Sequence, residues 1–491
     1  MPVAKRARST PSSPSAASPV TCTRTRRSTP ATSTTSMNNN SLRAAVVGAG
    51  PSGIYTTVEI LNRSPHARVD LYDLLPTPGG LVRYGVAPDH HDRRNLISVY
   101  LRKALATGRF RYCGNVEVGK HISVAELDRH YHAAVYAHGA SDDRSLGVPG
   151  ENLLGVHAAA EFVGWYNGHP DYTDMKFDLS GHRTVVIGNG NVALDVARIL
   201  LQRPHALIRT DISEHALEAL TTSKIREVII VGRRGPHQAS YTASELIALR
   251  ELDAAVHTNL GDPELRPDRH VAEAPTYASV VKAKAMSDLL RASQQSRSDR
   301  QLTFQFLTSP VAILGTDRVE SVRLVSNTLG IGPDRTVVAH ATTESQTLQT
   351  DLVFKSVGYR GRRINGLPFD QVRAVIPSRR GRIIDLDTES TVPGHYVTGW
   401  IKRGPSGVIG TNKACAKETV ASLLHDYEAG LLAAPGTSDI ASLRAVRQPD
   451  QISLEDWSRI DRHEQRAGQS AGRPRRKLVT VADMVAVARR N

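Results

Sequence analysis

Cysteine is nearly missing from this sequence. Three occur in 491 residues, Cys22, Cys113 and Cys415. Their wide separation excludes a disulfide framework, a CxxC redox pair, and the ligand spacing of zinc or iron–sulfur sites. Any redox chemistry therefore belongs to a bound cofactor. Long apolar runs are missing too. The longest, such as REVIIVG (226–232), have the length of a strand and fall far short of the roughly 18–20 residues that span a bilayer. Acid is absent from residues 1–43, which carry +7 of the formal net charge of +14. Residues 464–491 add +5, so the body of the chain, 44–463, holds only +2. A nucleic-acid-binding domain gathers charge on its folded face rather than at its ends, so nucleic acid is not the expected partner. What remains is ordinary for a globular protein: 40% hydrophobic and 22% charged residues, in a chain long enough for two or three domains.

Residues 1–40 are rich in Ser, Thr, Pro and Arg and too poor in apolar residues to fold. They read as a disordered extension, with Met37 as an alternative start, and the chain as cytoplasmic. The other reading is an organelle transit peptide, which would place the chain in the mitochondrial matrix. The five prolines of this segment weigh against the amphipathic helix such a peptide needs.

Ordered structure is expected from Ser41. AAVVG (44–48) reads as a buried strand, 52–63 as a helix and RVDLYD (68–73) as the second strand. A helix is expected over 96–106, a strand pair over 110–119, and a strand ending in a glycine turn over 132–141. A second unit opens at TVVIG (184–188). Its next strand, EVIIVG (227–232), follows a polar helical excursion at about 203–222. Residues 302–315 and 319–327 alternate like an antiparallel hairpin, and 350–359 closes the unit. The chain then returns through GHYVTGW (394–400), a glycine-rich turn and a helix at about 410–427.

Two strand–glycine–helix units are the chemical signal. Gly48-Ala49-Gly50-Pro51-Ser52-Gly53 is a G-x-G-x-x-G turn. Its glycines allow a tight turn, close approach of a pyrophosphate, and close helix–strand packing. Asp73, at the tip of the next strand, suits a ribose with both hydroxyls bare, hence FAD or NAD. The second unit reads Gly188-Asn189-Gly190-Asn191-Val192-Ala193. Its next strand ends not in an acid but in Arg233-Arg234, two guanidinium forks that match a 2′-phosphate. One cradle for a bare ribose and one for NADP(H) describe a flavoprotein that moves hydride between NADP(H) and FAD.

The stretches around the cradles, LLPTPGGLVRYGVAPDH (74–90), VVIGNGNVALDVARIL (185–200), VGRRGPHQASYTASEL (231–246), SVGYRG (356–361), NGLPFD (365–370), GWIKRGPSGVIGTNK (399–413) and GRPRRKLVT (472–480), resemble the adrenodoxin reductase-like family of ferredoxin–NADP reductases. The resemblance implies an α/β fold: two Rossmann-like dinucleotide-binding domains in a three-layer, glutathione-reductase-like architecture. The FAD domain would be discontinuous, 41–141 and 366–491, with an NADP domain at 142–365. It further implies that Ser52, Asp73, Leu81, Val118, Trp400 and Gly407-Val408-Ile409 line the FAD site. Arg144, Asn189, Gly190, Asn191, Val192, Arg233, Arg234, Glu245 and Gly407 would meet NADP. His90 would be an active-site histidine paired with an acid from a T-x-x-E-L-x-E-L stretch, which here reads TASELIAL (242–249). Glu245 matches the first acid and Ala248 replaces the second, so the pair is expected to be incomplete.

The activity this implies is ferredoxin–NADP reduction: hydride from NADPH to FAD, then single electrons to an acidic, transiently docked iron–sulfur protein. YRGRR (359–363) and IKRG (401–404) are the candidate basic docking face. The alternatives are a flavoprotein reductase with another acceptor and a non-enzymatic FAD/NADP-binding redox sensor. Thioredoxin reductase needs a CxxC, and the small subunit of glutamate synthase needs cluster cysteines; both are missing. No metal is expected.

Overall fold

The computed structural model describes residues 41–90, 99–261, 276–333, 335–407, 409–436 and 439–490. The expectations for 1–40 and for 96–98 lie outside them. The first sheet begins with β1 (Arg43–Val47), β2 (Arg68–Tyr72), β3 (Phe110–Cys113) and β4 (Ala133–Tyr136). The chain then makes β5 (Asp142–Asp143) and enters a second sheet through β6 (Val156–Ala158), β7 (Arg183–Ile187), β8 (Glu227–Val231), β9 (Ala255–Thr258) and β10 (Gln301–Gln305). Three antiparallel strands follow, β11 (Thr308–Leu314), β12 (Ser321–Ile331) and β13 (Val337–Gln349), before β14 (Leu352–Lys355) rejoins the second sheet. β15 (Tyr359–Arg360) leads back to β16 (Ser378–Arg379), β17 (Arg382–Ile384) and β18 (Thr391–Val397).

The first sheet has the order β16-β17-β18-β4-β1-β2-β3, and its last five strands are parallel. The second, β6-β14-β7-β8-β10-β9, is parallel throughout. Strand side chains alternate between faces, which gives each sheet two cores. Val186, Ile230 and Phe354 face helices that include Asn191–Leu201. Val185, Ile229 and Val353 face Val322 and Leu324 of the antiparallel strands. The second unit is thus helix layer, parallel sheet, antiparallel sheet. In the first, Val46, Val69 and Val135 pack under α1 (Pro51–Arg63) and the Ile409–Glu428 helix, with Ala45, Tyr72 and Tyr136 on the other face. The two passages of chain between the units, β5 and β15, pair with each other, Asp143 opposite Tyr359.

Three elements depart from expectation. The pair over 110–119 is a single strand, because Asn115 turns to φ 58° and an added Cβ on Gly114 would meet the Tyr112 ring. Residues 302–315 are two strands in two sheets. Leu307, at φ 52°, breaks the run, and the Asn259 amide clamps both backbone groups of Phe306 just before it. β13 was not anticipated, since VVAHATTESQTLQ is polar and largely exposed and carries no apolar alternation. It forms as the edge strand against β12.

The C-terminal helices Leu454–Ser470 and Val481–Ala488 pack on the first core through Ile460, Met484 and Val487. Glu464 pins them. It is fully buried, 2.6 Å from Arg83 and 2.7 Å from Arg475, and accepts the Leu478 amide at 2.9 Å. Burial acts to raise its carboxyl, but the two guanidiniums outweigh it and hold the group below its ordinary value. A depressed folded value stabilises above the unfolded one and is lost as pH falls. Glu464→Gln takes the carboxylate from Arg83 and leaves Arg475 with Asp461, and should cost about 3 kcal/mol at pH 7, read from chemical denaturation. Below about pH 4.5 the gap to the unaltered protein should narrow, as the native carboxylate protonates.

Candidate active site

The first cradle is built by three glycines doing three different jobs. Gly48 turns at φ 106°, and an added Cβ would lie 2.7 Å from the Ala137 carbonyl oxygen. On Gly53 it would stand 1.8 Å from the Gly48 carbonyl oxygen, so only glycine lets α1 sit this close to β1. On Gly50 it would meet nothing within 4 Å. That open face, at a helix start with proline in the first turn and no side-chain cap, leaves backbone N–H groups for an anion. The second cradle repeats the pattern. Gly188 turns at φ 119° against the Ser356 carbonyl, and Gly190 opens on space with only Ser240 at 3.8 Å. The Asn191–Leu201 helix has no side-chain cap either.

Asp73 lies just past β2. Its two carboxylate oxygens accept the Ala49 amide at 2.6 Å and the Leu75 amide at 2.9 Å, which ties the strand tip to the glycine turn and leaves each oxygen a lone pair. Burial pushes this carboxyl up to about 6, against the two amides, which lower it. Gly80 packs over the same turn, its added Cβ 3.0 Å from Gly50 Cα, and opens the short helix α2 (Leu81–Tyr84), whose Leu81 is 37% exposed. β18 delivers Gly399 and Trp400 to the cradle: at φ 78°, an added Cβ on Gly399 would touch Ser52 Oγ at 2.2 Å. Trp400 Nε1 is buried without a hydrogen-bond partner among the described residues, and its ring lies 5.8 Å from that of Tyr359. Arg403 bridges the Ser406 carbonyl and Asn412, shaping the loop that ends at Gly407, φ 84°. Val408 lies outside the described residues, and Ile409 opens the long helix. Val118 is buried, bridged to Ile122.

At the second cradle, Asn189 reaches over Gly232, whose added Cβ would fall 2.4 Å from Asn189 Nδ2; this amide nitrogen is buried without a hydrogen-bond partner among the described residues. Arg233 is exposed, and Arg234 is half-buried, with Nη1 3.4 Å from the Val337 carbonyl. Arg144, exposed, reaches the Tyr359 carbonyl at 3.4 Å. Val192 packs on the helix-side core. Lys282 joins the arginines, a residue with no local signal in the sequence. Its ammonium donates to the Ala239 carbonyl at 2.7 Å. Burial and then Arg234 lower its pKa, while burial and then Arg233 lower that of Arg234. Like charges crowded in this way favour an anion among them.

His90 and Glu245 approach each other, Nε2 to Oε2 at 3.7 Å. Glu245, the acid that is present, approaches His90 at this distance, and Ala248, one helical turn beyond it, offers no second carboxylate. The second cradle's helix holds Glu245 in place. Asn191 Oδ1 accepts the Thr242 amide at 2.8 Å, and Thr242 caps the Ala243–Ala248 helix through the Glu245 amide at 3.4 Å. Asp195 completes the cluster, with a carboxylate oxygen within 4.8 Å of both partners' ligand atoms. Its place four residues after Asn191, on the same helix face, was the overlooked signal. Arg198 pairs with Asp195 and with Asp89, next to His90.

No family model matches the chain. Curated relatives do. The NADPH-ferredoxin reductase FprA of Mycobacterium tuberculosis is 43% identical over 456 residues, 90% of this chain and 98% of the relative. The mitochondrial NADPH:adrenodoxin oxidoreductase of Arabidopsis thaliana is 40% identical over 476 residues, 92% and 96%. Among solved structures, Mycobacterium tuberculosis FprA in complex with NADPH superposes with a TM-score of 0.85 at 42% identity, covering 91% of this chain and 99% of that one. Fold and site define an oxidoreductase with two dinucleotide cradles. The chain belongs to the ferredoxin–NADP reductase family that holds these adrenodoxin and ferredoxin reductases.

Two glycine variants separate fold from ligand. Gly53→Ala should lower stability by about 2–3 kcal/mol or more through backbone overlap. Gly50→Ala should leave the melting temperature of the flavin-free protein unchanged and weaken FAD binding at least tenfold, read by flavin fluorescence. Asp73 gives a pH signature. With a folded pKa of about 6, about one molecule in ten keeps the acceptor carboxylate at pH 5. FAD affinity of the flavin-free protein should therefore fall roughly tenfold from pH 7.5 to pH 5, and Asp73→Asn should flatten that slope.

Proposed function

We propose that this chain is an FAD-dependent ferredoxin–NADP reductase that takes hydride from NADPH. It passes the electrons singly to an acidic iron–sulfur protein. The observation that carries the reading is the contrast between the two strand tips: a carboxylate, Asp73, after β2, and a cluster of Arg233, Arg234 and Lys282 around the end of β8. A ribose diol donates to the first, and a 2′-phosphate accepts from the second. We assign FAD to residues 41–141 and 366–491, and NADP to residues 142–365. The Gly50 turn, Ser52, Asp73, Leu81, Val118, Trp400 and the loop from Gly407 through Val408 to Ile409 would hold FAD. The Asn189–Val192 turn, Arg144, Glu245 and the arginine pair, with Gly407, would hold NADPH.

When bound, FAD supplies a centre that accepts a hydride and gives up its electrons one at a time. The chain's part is to orient and to exclude water. Trp400 and Leu81 offer apolar surface beside the first cradle. His90 and Glu245 set an imidazole and a carboxylate 3.7 Å apart beside the helix of the second cradle. The partner face narrows to Arg362 and Arg363. Arg360 is held by the Gln371 carbonyl at 2.6 Å, Lys402 by Glu418, and Arg403 by the Ser406 carbonyl and Asn412. Arg362 lies 3.1 Å from Asp142 in a solvent-exposed pair that an incoming carboxylate can exchange at little cost. No helix among the described residues is long and apolar enough to cross a membrane. We place the protein in the cytoplasm, or in the mitochondrial matrix if residues 1–40 are a leader; the Arabidopsis thaliana relative is named as mitochondrial.

The test is anaerobic addition of NADPH and NADH to the yellow protein. NADPH should bleach the flavin fast, and turnover with a one-electron acceptor should follow. A protein that binds both cofactors without turnover would be the sensor instead. Charge-assisted contacts are worth roughly 1.5–3 kcal/mol each, so Arg233→Ala/Arg234→Ala should raise KM for NADPH at least tenfold. NADH kinetics should stay within a few-fold, and the flavin spectrum should not change. Equal loss with both nucleotides would reassign the pair to structure.

A further inference from the structure

Residues 472–480, GRPRRKLVT, join the two C-terminal helices that pack on the first core, and while Arg475 stays on those helices, Arg473 and Lys477 point into the second unit. Arg473, 3% exposed at its side chain, donates to the Thr210 and Ile212 carbonyls and pairs with Glu214. Lys477, 1% exposed, sets its ammonium 3.3 Å from Asp211, 3.3 Å from the Asn167 side-chain oxygen and 3.5 Å from the Arg83 carbonyl. Asn167, fully buried, donates its amide to the Val86 carbonyl at 3.1 Å. Arg83 and Val86 belong to the segment that carries Leu81 at one end and His90 at the other. Asn167 and Asp211 flank helices on the second unit's core. Three donors of one buried ammonium thus meet three separate stretches of chain.

We infer that Lys477 is a positioning residue for hydride transfer, tying the Leu81–His90 segment to the second unit so that the two cradles keep a fixed separation. The inference rests on the function proposed above. Paired nucleotide domains move relative to each other unless something holds them, and transfer between bound reactants loses about a hundredfold for a displacement of about 1 Å. An exposed ion pair holds no such geometry. A buried ammonium with all three donors engaged does, since any shift strands a charge away from water.

Lys477→Met, Asp211→Asn and the double variant Lys477→Met/Asp211→Leu test this, each read by melting temperature, FAD content and anaerobic stopped-flow reduction by NADPH. Lys477→Met should lose stability and slow the limiting rate of flavin reduction at least tenfold, with NADPH affinity within threefold and FAD content unchanged. The double variant strands no charge and should regain the melting temperature, but not the rate. Asp211→Asn, nearly the same shape, keeps the fold and should slow reduction at least threefold. Reduction at the unaltered rate in either the double variant or Asp211→Asn overturns the inference and leaves the pair a purely structural one. An unaltered protein that NADPH does not reduce overturns instead the function on which the inference stands.

Discussion

The pairing of β18 with β4 is the contact on which the site depends. His395 lies beside Ala134, Tyr396 beside Val135 and Val397 beside Tyr136. This register sets Gly399 against Ser52, because the next two residues must clear the start of α1. Trp400, the Arg403 loop and the long Ile409–Glu428 helix follow from that one placement. A slip of one residue would send Tyr396 to the wrong face of the sheet, and the buried bond from its hydroxyl to Asp426 at 2.7 Å would be lost. The glycine turn of the first cradle is local. What surrounds it is not.

That division also marks what could be read in the sequence. Both cradles were legible because a glycine turn between a strand and a helix is written in consecutive residues. The acid at one strand tip and the arginines at the other were legible because strand length fixes where the tip falls. Family motifs carried the rest of the named site. Strand order was not legible, nor was the break at Leu307, which needs the Asn259 clamp from 47 residues away. Lys282 reaches the arginine pair from a separate helix, and nothing in YASVVKAKAMSDLL announces it. β13 escaped notice because an edge strand with little buried surface needs no apolar alternation.

His90 and Glu245 lie 3.7 Å apart, while the second acid of the family pattern is still missing at Ala248. The capping of the Ala243–Ala248 helix by Thr242, itself held by Asn191, turns Glu245 toward His90. The helix that follows the Gly190 turn thereby also fixes an acid beside His90. Asp195 and Arg198, one turn apart on that helix, extend the same arrangement to Asp89. A single helix therefore carries both the second glycine turn and the charged cluster around His90.

The β18–β4 contact has a consequence for the order of folding. The paired residues are separated by about 260 positions, a span whose closure is slow in a growing chain. As the chain is synthesised, the second unit has all six strands of its sheet in hand by Lys355, before β18 exists. β4 must wait through that interval with one parallel edge open, and it is apolar along its whole length, AAVY. Such an edge is a template for the wrong partner, including another nascent chain. The antiparallel ribbon of β5 and β15 lies just ahead of the returning strands, so it can close the wide loop early and bring β18 to its edge with only a short search left.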